Sequence, residues 1–292
     1  MEVVDLTNTY LRINSIVKEQ LYPFIKLRSL SLLDYTFEAF FNHIIKENNI
    51  KILGHHFSKR NIEGLTLIDS EGKVSFSYEE RNSSTKQNFT KCHELGHFLL
   101  AHQGNFFTEL NDGQTSILEV EANYFSACLL MPDIVLLSKI YYQNASLQEV
   151  AKTLLVSVEA LSIRLLDLFY YLLVSNKETI QRAIENYQRG DNREICLLFK
   201  QSHNTIVEEY KLLEPSPEDR LLYLLNQKDF ITDNDLAELK EEGFRKSIQE
   251  RYSAIGVWAY YDKGKTIFYA WDKERLTDKQ AYQKARTEYY LQ

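Results

Sequence analysis

Apolar residues recur every three to four positions along much of this chain, the spacing that gives a helix one buried stripe. Residues 1–48 read mostly as helix, with Tyr22-Pro23 marking a break and Leu33 to Ile45 keeping the helical spacing. The pattern then changes. Ile50-Lys51-Ile52-Leu53, Ile62 to Leu67 and Lys73 to Ser77 read as short strands, punctuated by Gly64 and the turn Asp69-Ser70-Glu71-Gly72. Helical spacing returns at Phe89, Leu95, Leu99 and Leu100, with Ser83, Ser84 or Thr85 to cap the start and Gly104 to stop it. Ile117 to Pro132 is a second amphipathic helix, and residues 133–171 are helical throughout. Glu178 to Glu250 is charged amphipathic helix, broken near Gly190-Asp191 and at Pro215-Ser216-Pro217. Ile255 to Tyr261 and Thr266 to Trp271 then flank Asp262-Lys263-Gly264-Lys265, a β-hairpin turning at Lys263-Gly264. The class is α+β.

The first of the two central helices carries His93-Glu94-Leu95-Gly96-His97. On a helix, residues four apart share a face, one turn from each other. His93 and His97 can therefore bind one zinc ion, and Glu94 lies close enough to take a proton from a water polarised by that metal. Gly96 costs about 1 kcal/mol against alanine inside a helix. Either substrate or a strand passes too close for a Cβ, or the helix packs closely on a sheet.

A catalytic zinc needs a third protein ligand and one open position. His102 is the nearest histidine, but five positions past His97 is roughly 140° around a helix, which favours a surface role or one behind the ligands. The second helix offers Glu119 and Glu121, which cannot share a face. Glu119 shares its face with Ala122, Asn123 and Ser126, small or polar side chains that allow close approach to the first helix; Glu121 shares its face with Tyr124, Phe125 and Cys128. Glu119 is the preferred ligand, Glu121 the alternative. Asn123 is placed to hydrogen-bond a ligand imidazole and fix its tautomer. Tyr78, Tyr124 and His102 are candidates to steady an oxyanion.

The combination of Phe89-Thr90, His93-Glu94-Leu95-Gly96-His97 and Leu99-Leu100 with the later Glu119-Val120-Glu121-Ala122-Asn123, Phe125, Ala127 and Leu129-Leu130-Met131-Pro132 resembles the ImmA/IrrE-type metallopeptidases. The resemblance covers roughly residues 35–170, early strands included. It implies a zincin-like peptidase domain, a short mixed sheet plus active-site helices, with Zn²⁺ held by His93, His97 and Glu119 and Glu94 as general base. It also implies a cytoplasmic regulator that cleaves a helix-turn-helix repressor and so releases mobile-element, phage or stress-response genes. Cys92 and Ser126 stand where the family usually has a small residue and alanine, and neither departure removes a catalytic group.

The chain of 292 residues has a net charge of −7 and three scattered cysteines. That argues against a general nucleic-acid binder and against a disulfide framework. The acidic start lacks a signal pattern, and the longest apolar run, Leu161 to Val174, is too short to span a bilayer; the expectation is a soluble protein without a membrane partner. Leu147 to Leu161 has a helix-turn-helix cadence, but Glu149, Glu159 and Asp167 offset Lys152 and Arg164, leaving no basic face for phosphates. His55 and His56 point to opposite faces of a strand and read as surface. The expected divisions are a peptidase domain over 1–135, a helix-turn-helix-like segment over 136–175, and a C-terminal helical domain with a β-hairpin over 176–292, its aromatics either a small core or a sensor surface. Two other functions stay open: a non-catalytic protein that sequesters a repressor or toxin, and a DNA-binding regulator.

Overall fold

The computed structural model describes residues 6–58, 62–102, 106–110, 116–173 and 176–291. The expected helix stop at Gly104 lies outside them. The chain forms two compact units, residues 1–213 and 214–292.

In the first unit, α1 (Leu6–Leu27) buries Ile13, Val17, Leu21, Tyr22, Phe24 and Ile25. It runs through Pro23 instead of breaking there. The lost backbone bond is offset because Tyr22, Phe24 and Ile25, on either side of the proline, are all buried. After α2 (Glu38–Glu47) come β1 (Lys51–His55), β2 (Ile62–Ile68) and β3 (Val74–Glu79), close to the expected spans, and then α3 (Ser84–Leu99). A fourth strand, β4 (Phe106–Leu110), is one the sequence pattern did not predict. The sheet order is β1-β3-β2-β4, with β1 parallel to β3 and the other pairs antiparallel. His55 and His56 are exposed, as expected.

The polypeptide continues through α4 (Ile117–Leu130), a short α5 (Asp133–Leu136) that passes into a π-helical turn over Leu137–Tyr142, α6 (Leu147–Thr153) and α7 (Val158–Leu173). Among the described residues, the stretch long and apolar enough to cross a membrane is Ile117–Tyr142, but 72 % of its most apolar window is buried inside the protein. It is a core element. Arg164, counted from sequence among the surface charges, is also in the core at 1 % exposure. It pairs with Asp133 and donates to the Tyr10 hydroxyl at 2.8 Å. Lys18 reaches the other oxygen of Asp133 at 2.6 Å, and Asn14 donates to it at 3.2 Å. This ionic knot ties α1, α5 and α7 together. Burial opposes the Asp133 charge, but Lys18 and Arg164 overcome it and hold its pKa well below the usual carboxylate range.

The expected boundaries at 135 and 175 do not separate compact units. In α8 (Lys177–Gln188) and α9 (Arg193–Leu212), Ile180, Tyr187, Ile195, Phe199 and Ile206 join the same hydrophobic core as α1 and α4. The division falls beside Pro215-Ser216-Pro217 instead.

The second unit holds α10 (Pro217–Lys228), β5 (Phe230–Thr232), α11 (Glu242–Arg251), β6 (Ile255–Asp262), β7 (Lys265–Asp272) and α12 (Asp278–Leu291). The expected hairpin is present, and Lys263 and Gly264 both take positive φ, +46° and +86°, as a type I′ turn requires. β5 adds to β7, giving a three-stranded sheet in the order β5-β7-β6.

Candidate metal centre

The local sequence explains why α3 and α4 carry the site. Ser83 caps α3 by accepting from the Lys86 amide at 3.3 Å, and Ser116 caps α4 by accepting from the Glu119 amide at 3.3 Å. Glu119 thus sits in the first turn of α4, where the helix dipole favours a carboxylate. Ser126 of α4 donates to the Phe89 carbonyl of α3 at 2.9 Å, fixing the two helices side by side.

The face of α3 turned into the protein is polar at its centre: His93, Glu94 and His97 are each at most 1 % exposed. Nε2 of His93 lies 3.1 Å from Nε2 of His97 and 3.0 Å from Oε2 of Glu119, while His97 Nε2 lies 3.4 Å from Oε1 of Glu119. Among the described residues these three form the one group able to hold a metal ion, with their ligand atoms within 4.8 Å of one another. Tetrahedral zinc with bonds near 2.05 Å needs ligand atoms about 3.3 Å apart. The triangle already has nearly that spacing, so the residues fit the ion.

The partners behind the imidazoles point the same way. His93 Nδ1 faces Oδ1 of Asn123 at 3.0 Å, the contact expected from its position one turn beyond Glu119. An N–H there leaves the lone pair of His93 on Nε2. His97 Nδ1 faces Nδ1 of His102 at 2.8 Å. Burial, the largest influence, pushes the His97 pKa below the ordinary imidazole value, which favours the neutral, ligating form. Burial works against the Glu119 carboxylate, but hydrogen bonds from His93 and His97 overcome it and bring its pKa down to about 2. Two imidazole lone pairs and a carboxylate facing one another are a cradle for a cation.

Glu94 lies beside the cradle on the same helix. Thr66 of β2 donates its hydroxyl to Glu94 Oε2 at 2.5 Å. Sequence reasoning missed Thr66. The alternation of β2 hides it: Leu65 and Leu67 read as the apolar face, whereas Gly64 and Thr66 are the buried residues and Leu67 is exposed.

Glu121 is not part of the cradle. Its carboxylate accepts from His102 Nε2 at 2.9 Å and pairs with Arg12 of α1. Gly96 faces Phe125 of α4. A Cβ there would come within 3.1–3.2 Å of the Cβ and ring of Phe125, so the glycine sets how closely α4 approaches. Cys92 is enclosed and burial pushes its thiol pKa well up, which suits a small packing residue. Of the oxyanion candidates, His102 has both ring nitrogens engaged, the Tyr124 hydroxyl lies 3.4 Å from that of Tyr171, and Lys91 stacks over the Tyr78 ring. The helix-turn-helix-like segment abuts α3, where Asn88 donates to the Leu155 carbonyl at 3.2 Å.

Residues 46–166 match the M78 peptidase family, described as an IrrE N-terminal-like domain. The match spans α3, α4 and the whole sheet, and leaves out α1 and everything after the middle of α7. No curated protein matches the chain.

Proposed function

We propose, from the M78 peptidase character of residues 46–166, that this protein is a zinc-dependent endopeptidase acting on a protein substrate. His93, His97 and Glu119 are the ligands in this reading, and Glu94 is the general base. Its natural substrate is a helix-turn-helix repressor, cleaved in the cytoplasm to release the genes it holds down. The observation that carries the reading is the close triangle of Nε2, Nε2 and carboxylate oxygen, backed by Asn123, with buried Glu94 next to His93 on the same helix.

Zinc, when bound, polarises the scissile carbonyl and makes water more acidic. The rest falls to the side chains. Glu94, oriented by Thr66, takes the proton from the attacking water and hands it to the leaving amine. Asn123 keeps His93 in the tautomer that presents Nε2. The low exposure of both histidines excludes bulk water from all but the open side of the site.

The test is Glu94→Gln, which keeps the side chain's size and removes the base. Zinc content by elemental analysis should remain near that of the parent. Cleavage of a candidate helix-turn-helix repressor, followed by gel and mass spectrometry, should slow by about 10²–10⁴. If Glu94→Gln relieves repression as well as the parent does, the protein acts by binding and not by proteolysis.

A further inference from the structure

The two ligand histidines are backed differently. Behind His93 stands a neutral amide, Asn123. Behind His97 stands a second imidazole and then a carboxylate, with His102 Nδ1 at 2.8 Å from His97 and His102 Nε2 at 2.9 Å from Glu121. The His102 side chain is only 4 % exposed and that of Glu121 13 %.

A particular backbone device puts His102 there. On a continued helix it would point away from His97. Instead α3 ends: Ala101 takes a left-handed conformation at φ +53°, its amide bonds the Phe98 carbonyl, and the His102 amide bonds the His97 carbonyl at 3.1 Å. This paired closure is a Schellman motif, normally built on glycine. It turns the chain back so that residue 102 lies over residue 97. Using alanine at the left-handed position costs about 1 kcal/mol or more.

We propose that His102 and Glu121 are positioning residues that hold His97 in its ligating tautomer; the inference rests on the zinc reading above. One proton lies between the two Nδ1 atoms. If His97 keeps its Nε2 lone pair for the metal, its proton is on Nδ1 and His102 Nδ1 accepts it. A neutral His102 then carries its proton on Nε2, where the Glu121 carboxylate receives it. The opposite arrangement would set the Nε2 lone pair of His102 against that carboxylate, two acceptors 2.9 Å apart. Glu121 therefore selects the tautomer of both rings. Arg12, on the other carboxylate oxygen, keeps Glu121 aimed. A hydrogen bond relayed to a carboxylate also raises the basicity of the ligand nitrogen, as outer-shell acceptors on metal-bound histidines do.

The experiment uses the full chain stripped of metal. Zinc affinity is read by competition with a chromogenic chelator, and the ligand field by the visible spectrum of the cobalt(II)-loaded protein. The His102→Phe change should weaken zinc binding by about 10–100-fold, the usual cost of losing an outer-shell partner. Glu121→Gln, which keeps the shape and removes the charge, should weaken it less and shift the cobalt band in the same direction. His102→Gln, whose amide oxygen can accept from His97, should recover part of the loss. Melting of the metal-free Glu121→Gln protein should match the parent. If zinc affinity and the cobalt band are unchanged in both His102→Phe and Glu121→Gln, or if affinity falls only as far as the metal-free protein is destabilised, the contacts are a structural staple and the relay is overturned. A parent chain that takes up no metal overturns the zinc reading and the relay with it. A parent that binds zinc no better than its variants overturns the relay alone.

Discussion

Gly96→Ala is the sharpest probe of how the site is built, because two effects of known size oppose each other. Replacing an interior helix glycine with alanine gains about 1 kcal/mol of helix propensity. The added Cβ, however, meets three atoms of Phe125 at 3.1–3.2 Å, about 0.4 Å inside ordinary carbon–carbon contact. Overpacking of this kind costs about 1–3 kcal/mol. The net is a loss of roughly 0–2 kcal/mol, or at most about 8 °C in Tm for a unit of this size. Metal affinity should suffer more. Phe125 and Glu119 are on the same helix, so relief of the clash moves Glu119 away from His93 and His97. A displacement of a few tenths of an ångström exceeds the roughly 0.2 Å tolerance of metal–ligand distances. The assay pairs melting of the metal-free protein with zinc competition, on Gly96→Ala, Phe125→Leu and the double variant. Trimming Phe125 should rescue part of the Gly96→Ala defect, so the double variant should be more stable than the two single losses predict by about 1 kcal/mol. If Gly96→Ala is instead stabilising by the full helix-propensity gain and binds zinc within twofold of the parent, the close helix approach is not what the glycine provides.

Two other outcomes follow from the structure. Asp133→Asn takes the carboxylate from buried Arg164 and leaves Lys18 with Glu209 alone, at 2.6 Å, and should destabilise the protein at pH 7 by about 3–5 kcal/mol. Because the folded-state pKa of Asp133 is depressed, its contribution is complete well above the unfolded value of about 3.9 and fades as pH falls below it. The gap between parent and variant in urea melts should therefore narrow on acidification, and a gap that stays constant from pH 7 to pH 3 would contradict the ionic assignment. Thr66→Val removes a hydrogen bond to the Glu94 carboxylate, a contact of the kind worth about 1.5–3 kcal/mol. If the proposed function holds, substrate cleavage should slow by about tenfold or more with zinc content unchanged, and an unaltered kcat would show that Thr66 does not orient the base.

The residues of the candidate site were legible because most of them are local. His93, Glu94 and His97 fall within two helical turns, and the small, polar face of α4 around Ala122, Asn123 and Ser126 favours Glu119 over Glu121, the carboxylate that the fold sets against the two histidines being Glu119. The hairpin was legible because Lys263-Gly264 can take the positive φ values its turn needs. What escaped notice depends on partners distant in sequence. Arg164 reads as an ordinary surface charge until Asp133, Tyr10 and the fold of three helices enclose it. Pro23 reads as a stop until the burial around it outweighs the missing bond. Helical spacing left His102 either at the surface or behind the ligands, and it is the left-handed Ala101 after Leu99 that brings it behind His97. The strand Phe106–Leu110 is short, and its pairing partner β2 lies across the whole of β3 and α3. The division at residue 213 could not be read from composition, because α8 and α9 look no different from helices of a separate domain until their apolar faces are seen in the shared core.

The ionic knot bears on inheritance. The segment that matches the M78 family, residues 46–166, contains Asp133, Glu121 and the first half of α7 including Arg164, but not Lys18, Asn14, Tyr10 or Arg12. All four of those counterparts lie on α1. The portable signature is thus smaller than the piece of chain that is electrically closed. Moved without α1, this segment would leave Asp133 and Arg164 without Lys18 and Tyr10, and Lys18 is tied in turn to Glu209 of α9. Covariation among α1, α5 and α7 should therefore be a better guide to the natural limits of the unit than similarity to the metal-binding motif.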